Sequence, residues 1–577
     1  MGEFRSVSFY YSLLNILFFT LIPLSSFAEL AIGRPSSDKD FGDVDIYYSH
    51  TSSNPSALPQ KNLGNDIFYQ VFVDRFSNGN QKNDCLHEGR FCSPDRSKWY
   101  HFWGGDLRGI INHLDYLKGL GITKLWLSPI FENQMLTVTR ERYGRLAEIT
   151  AYHGYWIRDW FRLSPDLTDQ GSLDFNIVNE LVDKSAPELG IILDTVTNHT
   201  SPTNPTAWSL DYANGIEPLP MRNGVPRSHA GVLFKNGTYV TSYSEDVYRS
   251  EHESGYEAFF HHFPPITDWN DPFQLENYTL DSLADLSQDN PVNRDYLDEA
   301  HAFWLKKFPK IAGYRMDTIK HVPLWYWKEF ASKLYGAFPQ TMIVGEHFGA
   351  GPYDSSSFPF YQETPMSLFD FNFRSSIESI FLRGWSFQEL TKYWEQDPRL
   401  INAREMVTFL DNHDLPRLRG LGMKPEAMRQ ATTLLFVSRG VPCLFYGLEQ
   451  DLYTPNDLGD PYNRPMMSSF NTSAPFYQLI QKLAGLRKKN PALRYGVTHI
   501  VHLTDNIIGF ERIFEHHKIF VALSKNPRQG SDSFPMINLT MPNQQYRDVI
   551  TGETYTVSQG RINLSLKNGD IVLLSTD

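Results

Sequence analysis

Carboxylates, imidazoles and one arginine gather at the ends of four short apolar segments. Gly190–Asp194 (GIILD) ends in Asp194, with Asn198 and His199 just after it. Ala312–Asp317 (AGYRMD) carries Arg315, ends in Asp317, and is followed by Lys320 and His321. Met342–Glu346 (MIVGE) ends in Glu346, and Met406–Asp411 (MVTFLD) runs into Asn412, His413 and Asp414. Such a set suits cleavage of an acetal. One carboxylate attacks the anomeric carbon while a second carboxyl group, kept protonated, gives its proton to the leaving oxygen. Neighbouring strands can supply the separation of about 5–5.5 Å that retention of configuration requires. Asp317 and Glu346 fit that pair. Arg315 stands two residues before Asp317, so an extended strand points both side chains to one face. Its fixed charge is expected to keep Asp317 ionised. Glu346 must instead be held protonated, by nearby carboxylates and a drier pocket. Asp414 is suited to binding sugar hydroxyls and to favouring a developing positive charge. Any one of these residues could equally be a structural ion pair, but together, at successive strand ends, they point to chemistry.

Strand ends meet on one rim only if the strands run parallel and close on themselves. Eight candidate strands stand in line: Asp66–Asp74, Thr123–Ser128, Gly190–Asp194, Ala312–Asp317, Met342–Glu346, Met366–Phe371, Met406–Asp411 and Val441–Tyr446. Helix-like stretches such as Asp106–Leu120, Asp174–Ala186, Asn293–Phe308 and Leu324–Tyr335 lie between them. The expectation is an α/β fold, a (β/α)8 TIM barrel. A doubly wound open sheet competes, but no glycine-rich phosphate loop follows the first strand.

The remaining segments divide as follows. Residues 1–28 read as a signal peptide: Phe9–Pro23 is mostly apolar and Ser26-Phe27-Ala28 offers a small-x-small cleavage site, a retained anchor being the alternative. Residues 29–63 read as a loosely ordered leader, 64–198 as the first part of a catalytic barrel, and 199–286, rich in Gly, Pro and Asn, as an inserted subdomain B after strand 3. Residues 287–494 complete the barrel. Residues 495–577, with THIVHL, IIGFERI and KIFVALS, read as a C-terminal antiparallel β-sandwich domain.

Composition narrows the partners. The formal charge of −13 over 577 residues argues against nucleic acid or an anionic membrane. Aromatics at 14% fit a large core, or a cleft where rings stack on sugar faces. The mature chain is expected to be soluble, monomeric and secreted, to the exterior or a periplasm. Cys85 and Cys92, seven apart in a polar loop, could close a small ring; Cys443 lies in apolar GVPCLFYG and reads as a buried free thiol.

The same residues carry a family pattern. DTVTNH (194–199), GYRMDTIKH (313–321), GEHF (345–348) and FLDNHD (409–414) resemble the four ordered signatures of the α-amylase family of glycoside hydrolases. LADLS (283–287) resembles its fifth, and AYHGYWIRD (151–159) the segment after its second barrel strand. YQVFVDRFSNGN, GGDLRGI, NHTSP and SRGVP are similar to bacterial-type α-amylases and cyclodextrin glucanotransferases, the likeness running from about residue 66 to about 500. The resemblance implies Asp317 as nucleophile, Glu346 as general acid/base and Asp414 as transition-state stabiliser. It implies that His153, Tyr155, His199, Arg315 and His413 line the glycone side, that Lys320 and His321 face the leaving group, and that Asp460 and Arg464 reach sugars further out. It also implies a calcium ion held by the Asn198 side chain, the Asp285 carboxylate, the His321 carbonyl and a ligand from the insert. A second calcium site resembles Asn78, Asn80, Asn83 and Asp84 with Gly104 and Asp106, with Asn78 where relatives have aspartate. Cys85 and Cys92 match a disulfide bordering that loop.

The implied activity is a secreted retaining α-glucan hydrolase acting on α-1,4 bonds of starch- or glycogen-type polysaccharide or maltooligosaccharides. Cyclodextrin glucanotransferase or another transglycosylase is the alternative, and a non-catalytic glucan-binding relative a third reading. Asp281 stands where glucanotransferases carry a central aromatic ring, and one β-rich domain follows the barrel where they have more; both departures favour hydrolysis. Phe348, an aromatic near the acceptor position, favours some transfer.

Overall fold

The computed structural model describes residues 41–48 and 63–577, except 87–90, 134–135, 172, 262, 282, 526–531 and 534–536. Of 203–259 it describes only short strands at 208–209, 221–222, 225–226, 232–235 and 238–241. The expected signal peptide in residues 1–28 therefore lies outside the described residues.

Eight parallel strands close into a barrel: β1 (Phe68–Val71), β2 (Lys124–Leu127), β3 (Gly190–Thr195), β4 (Ile311–Met316), β5 (Met342–Gly345), β6 (Ser367–Asp370), β7 (Val407–Phe409) and β8 (Val441–Phe445). Each pairs with its neighbours in sequence, and β8 closes on β1. The strands are apolar on both faces because both are covered. Phe68, Trp126, Ile192, Val344, Phe409 and Cys443 fill the interior, while the alternate residues Tyr69, Leu125, Leu193 and Tyr314 join the larger cluster that includes the surrounding helices. The stretch 106–120 is two helices, Leu107–Asn112 and Leu114–Leu120, rather than one. The chain breaks at His113, whose Nδ1 lies 2.8 Å from the Gly109 carbonyl and whose ring stacks on Phe470.

One buried cation ties the barrel's outer layer together. Arg439 lies 2.6 Å from Asp370 Oδ2 and 2.7 Å from Asp397 Oδ1, all three fully buried, and Tyr393 donates to Asp370 at 2.6 Å. Arg439→Met leaves two carboxylates buried without their cation and is expected to cost about 3–5 kcal/mol. A lowered urea midpoint measures it; an unchanged midpoint contradicts it.

The insert leaves and returns as a pair. His199–Pro202 runs antiparallel to Leu283–Asp285, with Asp285 opposite His199, so Asn198 and Asp285 become neighbours. A second excursion follows β2 and was not legible beforehand. Phe131–Asn133 pairs with Ile157–Leu163, and between them Leu136–Arg142 and Arg145–Ile149 form a hairpin turning at Tyr143-Gly144. Both turn residues have positive φ, as a tight two-residue connection requires.

The C-terminal sheet comprises Val497–Leu503, Ile507–Phe514, His517–Ser524 and Ile571–Ser575. Its inner face packs with Tyr546, Ile562 and Leu566 from shorter strand pairs, the two layers of a sandwich. Phe41–Tyr48 lies antiparallel beside Val497–Leu503, so the stretch 29–63 is not loose throughout. Its alternation of Val44, Ile46 and Tyr48 suits a strand, and pairing satisfies backbone groups that an open edge would expose. Among the described residues no helix is long and apolar enough to cross a membrane.

Candidate active site

Period-two alternation builds the rim. Two residues beyond inward-facing Phe68, Ile192, Val344 and Phe409 come Gln70, Asp194, Glu346 and Asp411, which therefore point up into the barrel mouth. Arg315 on β4 is in register with Asp194 on β3 and Val344 on β5. Backbone bonds extend the ladder past the strands: Asp317 N–H donates to Thr195 O at 2.9 Å and Glu346 N–H to Met316 O at 2.8 Å. Asp317 and Glu346 thus sit on adjacent strand ends, fixed by main chain. Gly345 precedes Glu346 because a Cβ there would lie 2.6 Å from Ile319 Cδ1.

One guanidinium organises the carboxyls. Arg315 Nη1 lies 2.9 Å from Asp194 Oδ1 and 2.6 Å from Asp317 Oδ1, and Nη2 lies 2.9 Å from Glu346 Oε1. Burial and the charge of Asp317 favour the protonated form of Glu346, and Arg315 opposes them. Burial pushes all the site carboxyls up: Asp194 and Asp414 to about 7, Asp317 and Glu346 in the same direction. For Asp317 burial works against the effect expected of Arg315. The cation does lower the proton affinity, but removal from water outweighs it. The result is a cluster of weakened acids, in which Asp194 and Asp414 titrate near neutral pH.

The imidazoles stay neutral. Burial holds His153, His199 and His321 down to about 3 and pushes His413 well below the usual imidazole range. His413 is threaded into a relay: Gln70 Nε2 lies 2.6 Å from its Nδ1, its Nε2 lies 2.7 Å from the Tyr155 hydroxyl, and that hydroxyl donates to Asp194 at 2.7 Å. Tyr155 and His413 also stack, 5.2 Å apart and nearly parallel. Trp126 Nε1 donates to Asp194 at 2.9 Å. Asp414 lies 3.2 Å from His413 Nε2 and 3.5 Å from Arg464, which pairs with Asp460 at 2.7 Å. Tyr152 joins them, donating to Asp460 Oδ1 at 2.8 Å and accepting from Arg464 at 2.8 Å. Lys320 and His321 sit on the turn after Asp317, where burial lowers the proton affinity of Lys320.

Arg315, Asp317 and Glu346 are joined at one point, and Tyr155, His413, Asp414, Asp460 and Arg464 by a chain of contacts, with three additions. Gln70, Trp126 and Tyr152 hold the ones that face the cleft. Gln70 was legible in principle, since it continues the inward face of β1; Tyr152 and Trp126 pair over more than 60 residues and leave no local signal.

Both candidate cation sites fit a hard ion. The Asn198 amide oxygen faces two acceptors, Asp285 Oδ1 at 3.2 Å and the His321 carbonyl at 2.8 Å. Turning the amide over would make these hydrogen bonds, whereas a cation among the three oxygens satisfies them as they stand. Asp285 is buried, its carboxyl raised to about 7, with His261 at 2.7 Å on its other oxygen. In the second loop Asn78 Oδ1, Asn83 Oδ1 and Asp84 Oδ1 are buried without a hydrogen-bond partner, and Gly104 leaves room beside Asp84. Asp106 has a further role. It caps the helix at Leu107, accepting from Gly109 at 2.6 Å, and also takes Gly79 at 3.0 Å and Asn80 at 2.9 Å. The Asn80 side chain donates to Asp169. No group of three or more His, Cys, Asp or Glu that could hold a metal occurs among the described residues, so amide and carbonyl oxygens must supply most ligands. Cys85 and Cys92 form a disulfide beside this loop, and Cys443 is free and buried.

Comparison with known proteins agrees with this geometry. Residues 70–457 match the family model described as α-amylase, catalytic domain. A cyclomaltodextrin glucanotransferase of Thermoanaerobacterium thermosulfurigenes is 34% identical over 502 residues, covering 85% of this chain and 64% of its own length. An α-amylase of Niallia circulans is 33% identical over 525 residues, covering 88% and 90%. The solved structure of CldA, described as the first cyclomaltodextrin glucanotransferase with a three-domain ABC distribution, gives a TM-score of 0.75 at 29% identity. It covers 90% of this chain and 99% of that one.

Proposed function

The chain belongs to the α-amylase family of glycoside hydrolases, and from that premise we propose that it is a secreted, monomeric, retaining hydrolase of α-1,4-glucans. The observation that carries the reading is Arg315 touching Asp317 and Glu346 at once, at 2.6 and 2.9 Å. That proximity suits a nucleophile and an acid on one linkage, and leaves less room for the interposed water that inversion needs. Asp317 attacks the anomeric carbon as Glu346 passes its proton to the glycosidic oxygen, the C–O bond breaks, and a glycosyl ester forms. Glu346, now a base, takes a proton from water, which attacks the same carbon and releases Asp317. Arg315 stabilises the carboxylate form of Asp317, and Asp414 faces the charge that develops on the sugar ring.

Calcium at Asn198, Asp285 and the His321 carbonyl would cross-link insert to barrel. A chelator is expected to lower Tm, with a loss near 2.7 kcal/mol if the ion is present at about 100 times its Kd. Calcium should restore it in wild type and not in Asp285→Ala; a chelator-insensitive Tm in wild type contradicts the assignment.

Transglycosylation is the second reading. It is supported by the glucanotransferase relatives and by Phe348, which is 42% exposed and packs on Phe371 at 4.8 Å. A transferase of three domains also removes domain number from the argument for hydrolysis, leaving Asp281. A chromatographic time course of products from amylose and from a cyclodextrin separates the two. Linear oligosaccharides from amylose support hydrolysis, and cyclic products accumulating from amylose overturn it.

A further inference from the structure

The hairpin after β2 touches both flanks of the catalytic centre. At its turn, the Tyr143 hydroxyl donates to the carbonyls of Leu458 at 2.8 Å and Asp460 at 3.0 Å, and its ring lies 5.7 Å from that of Tyr462. This flank is the one that carries Asp460, Arg464 and Asp414. Three residues earlier, Arg140 pairs with Asp281, on the segment that returns from the insert and leads into Asp285. That flank carries Asn198 and His199. The hairpin also pairs with Trp208–Ser209 of the insert. From Arg140 to Tyr143 an extended strand spans about 10 Å. Backbone anchored at both ends therefore runs from the Asp460 flank to the flank of the insert.

We infer that the hairpin Leu136–Ile149 is a strap ending the glycone side of the groove, so that chain ends enter and interior stretches of glucan do not. The inference rests on the glucan-cleaving reading above and adds its mode: short oligosaccharides are trimmed from non-reducing ends. Arg140 and Asp281 act as positioning residues for the strap. Their side chains are 23% and 45% exposed, so the ion pair alone is weak and the strand pairing and the Tyr143 bonds must share the load.

The test compares two p-nitrophenyl α-maltoheptaosides, one with a free non-reducing end and one whose terminal 4- and 6-hydroxyls are tied by an ethylidene group. Wild type is expected to cleave the blocked substrate at least about 50-fold more slowly than the free one. Replacing Arg140–Ala147 by Asn-Gly, a change to an exposed loop tip, is expected to bring the blocked rate within about threefold of the free rate. Arg140→Gln and Asp281→Asn are expected each to raise the blocked-to-free ratio about threefold, and the double variant no further, as for partners in one contact. Equal rates on both substrates in wild type, or a ratio unchanged in the shortened variant, overturn the strap. Failure of wild type to cleave either substrate overturns the glucan-cleaving reading, and the strap with it.

Discussion

Asp317→Asn is expected to lower kcat on amylose by about 10⁴-fold or more while the protein stays folded. Asparagine keeps the shape and can still accept from Arg315 Nη1, which now lies 2.6 Å from Oδ1, but it cannot form the glycosyl ester. The variant also separates catalysis from stability through pH. Burial raises the proton affinity of Asp317 above its unfolded value. A carboxyl shifted upward contributes stability that is full below the unfolded pKa and is lost as pH rises through the folded one. At pH 7 wild type therefore carries a cost that asparagine lacks. The variant should unfold no earlier than wild type at neutral pH, and any advantage should vanish below about pH 4. Activity assays with parallel thermal melts at both pH values check this. A variant that is inactive because it is unfolded contradicts it.

Glu346→Gln is expected to show a loss that depends on the leaving group. With amylose, whose leaving alkoxide needs a proton, the fall should reach about 10³-fold. With an α-glucosyl fluoride, which departs without one, ester formation should be nearly unimpaired and the variant should stall before hydrolysis. The pH profile carries a second signature. Burial, reinforced by the charge of Asp317 and opposed by Arg315, keeps Glu346 protonated above the ordinary glutamate range. Wild type should lose kcat/KM as pH rises and that proton departs, and the glutamine variant, with nothing to lose, should lack the alkaline limb. Equal losses on both substrates, or a retained limb, would assign the acid to another residue.

Much of this site was legible because its signals are local. An apolar strand that ends in a charged residue announces a barrel rim, and the spacing Arg315–Asp317 places both side chains on one face whatever the rest of the chain does. What could not be read depends on distance or burial. The upward shift of Asp317 turned on how dry the pocket is, which no motif records. Gln70 meets His413, and Tyr152 meets Arg464, across more than 300 residues. The hairpin at 136–149 is polar and charged, with only Tyr143-Gly144 to mark its turn. The strand Phe41–Tyr48 lay in a polar leader and finds its partner, Val497–Leu503, at the far end of the chain.

The pairing of Asp317 with Glu346 is tested most directly by trapping the ester. Glu346→Gln is incubated with α-maltotriosyl fluoride, quenched in acid, digested and mapped by mass spectrometry. A maltotriosyl adduct on the Asp317 carboxyl is the expected result. Rapid release of β-maltotriose with no adduct on any peptide would contradict it.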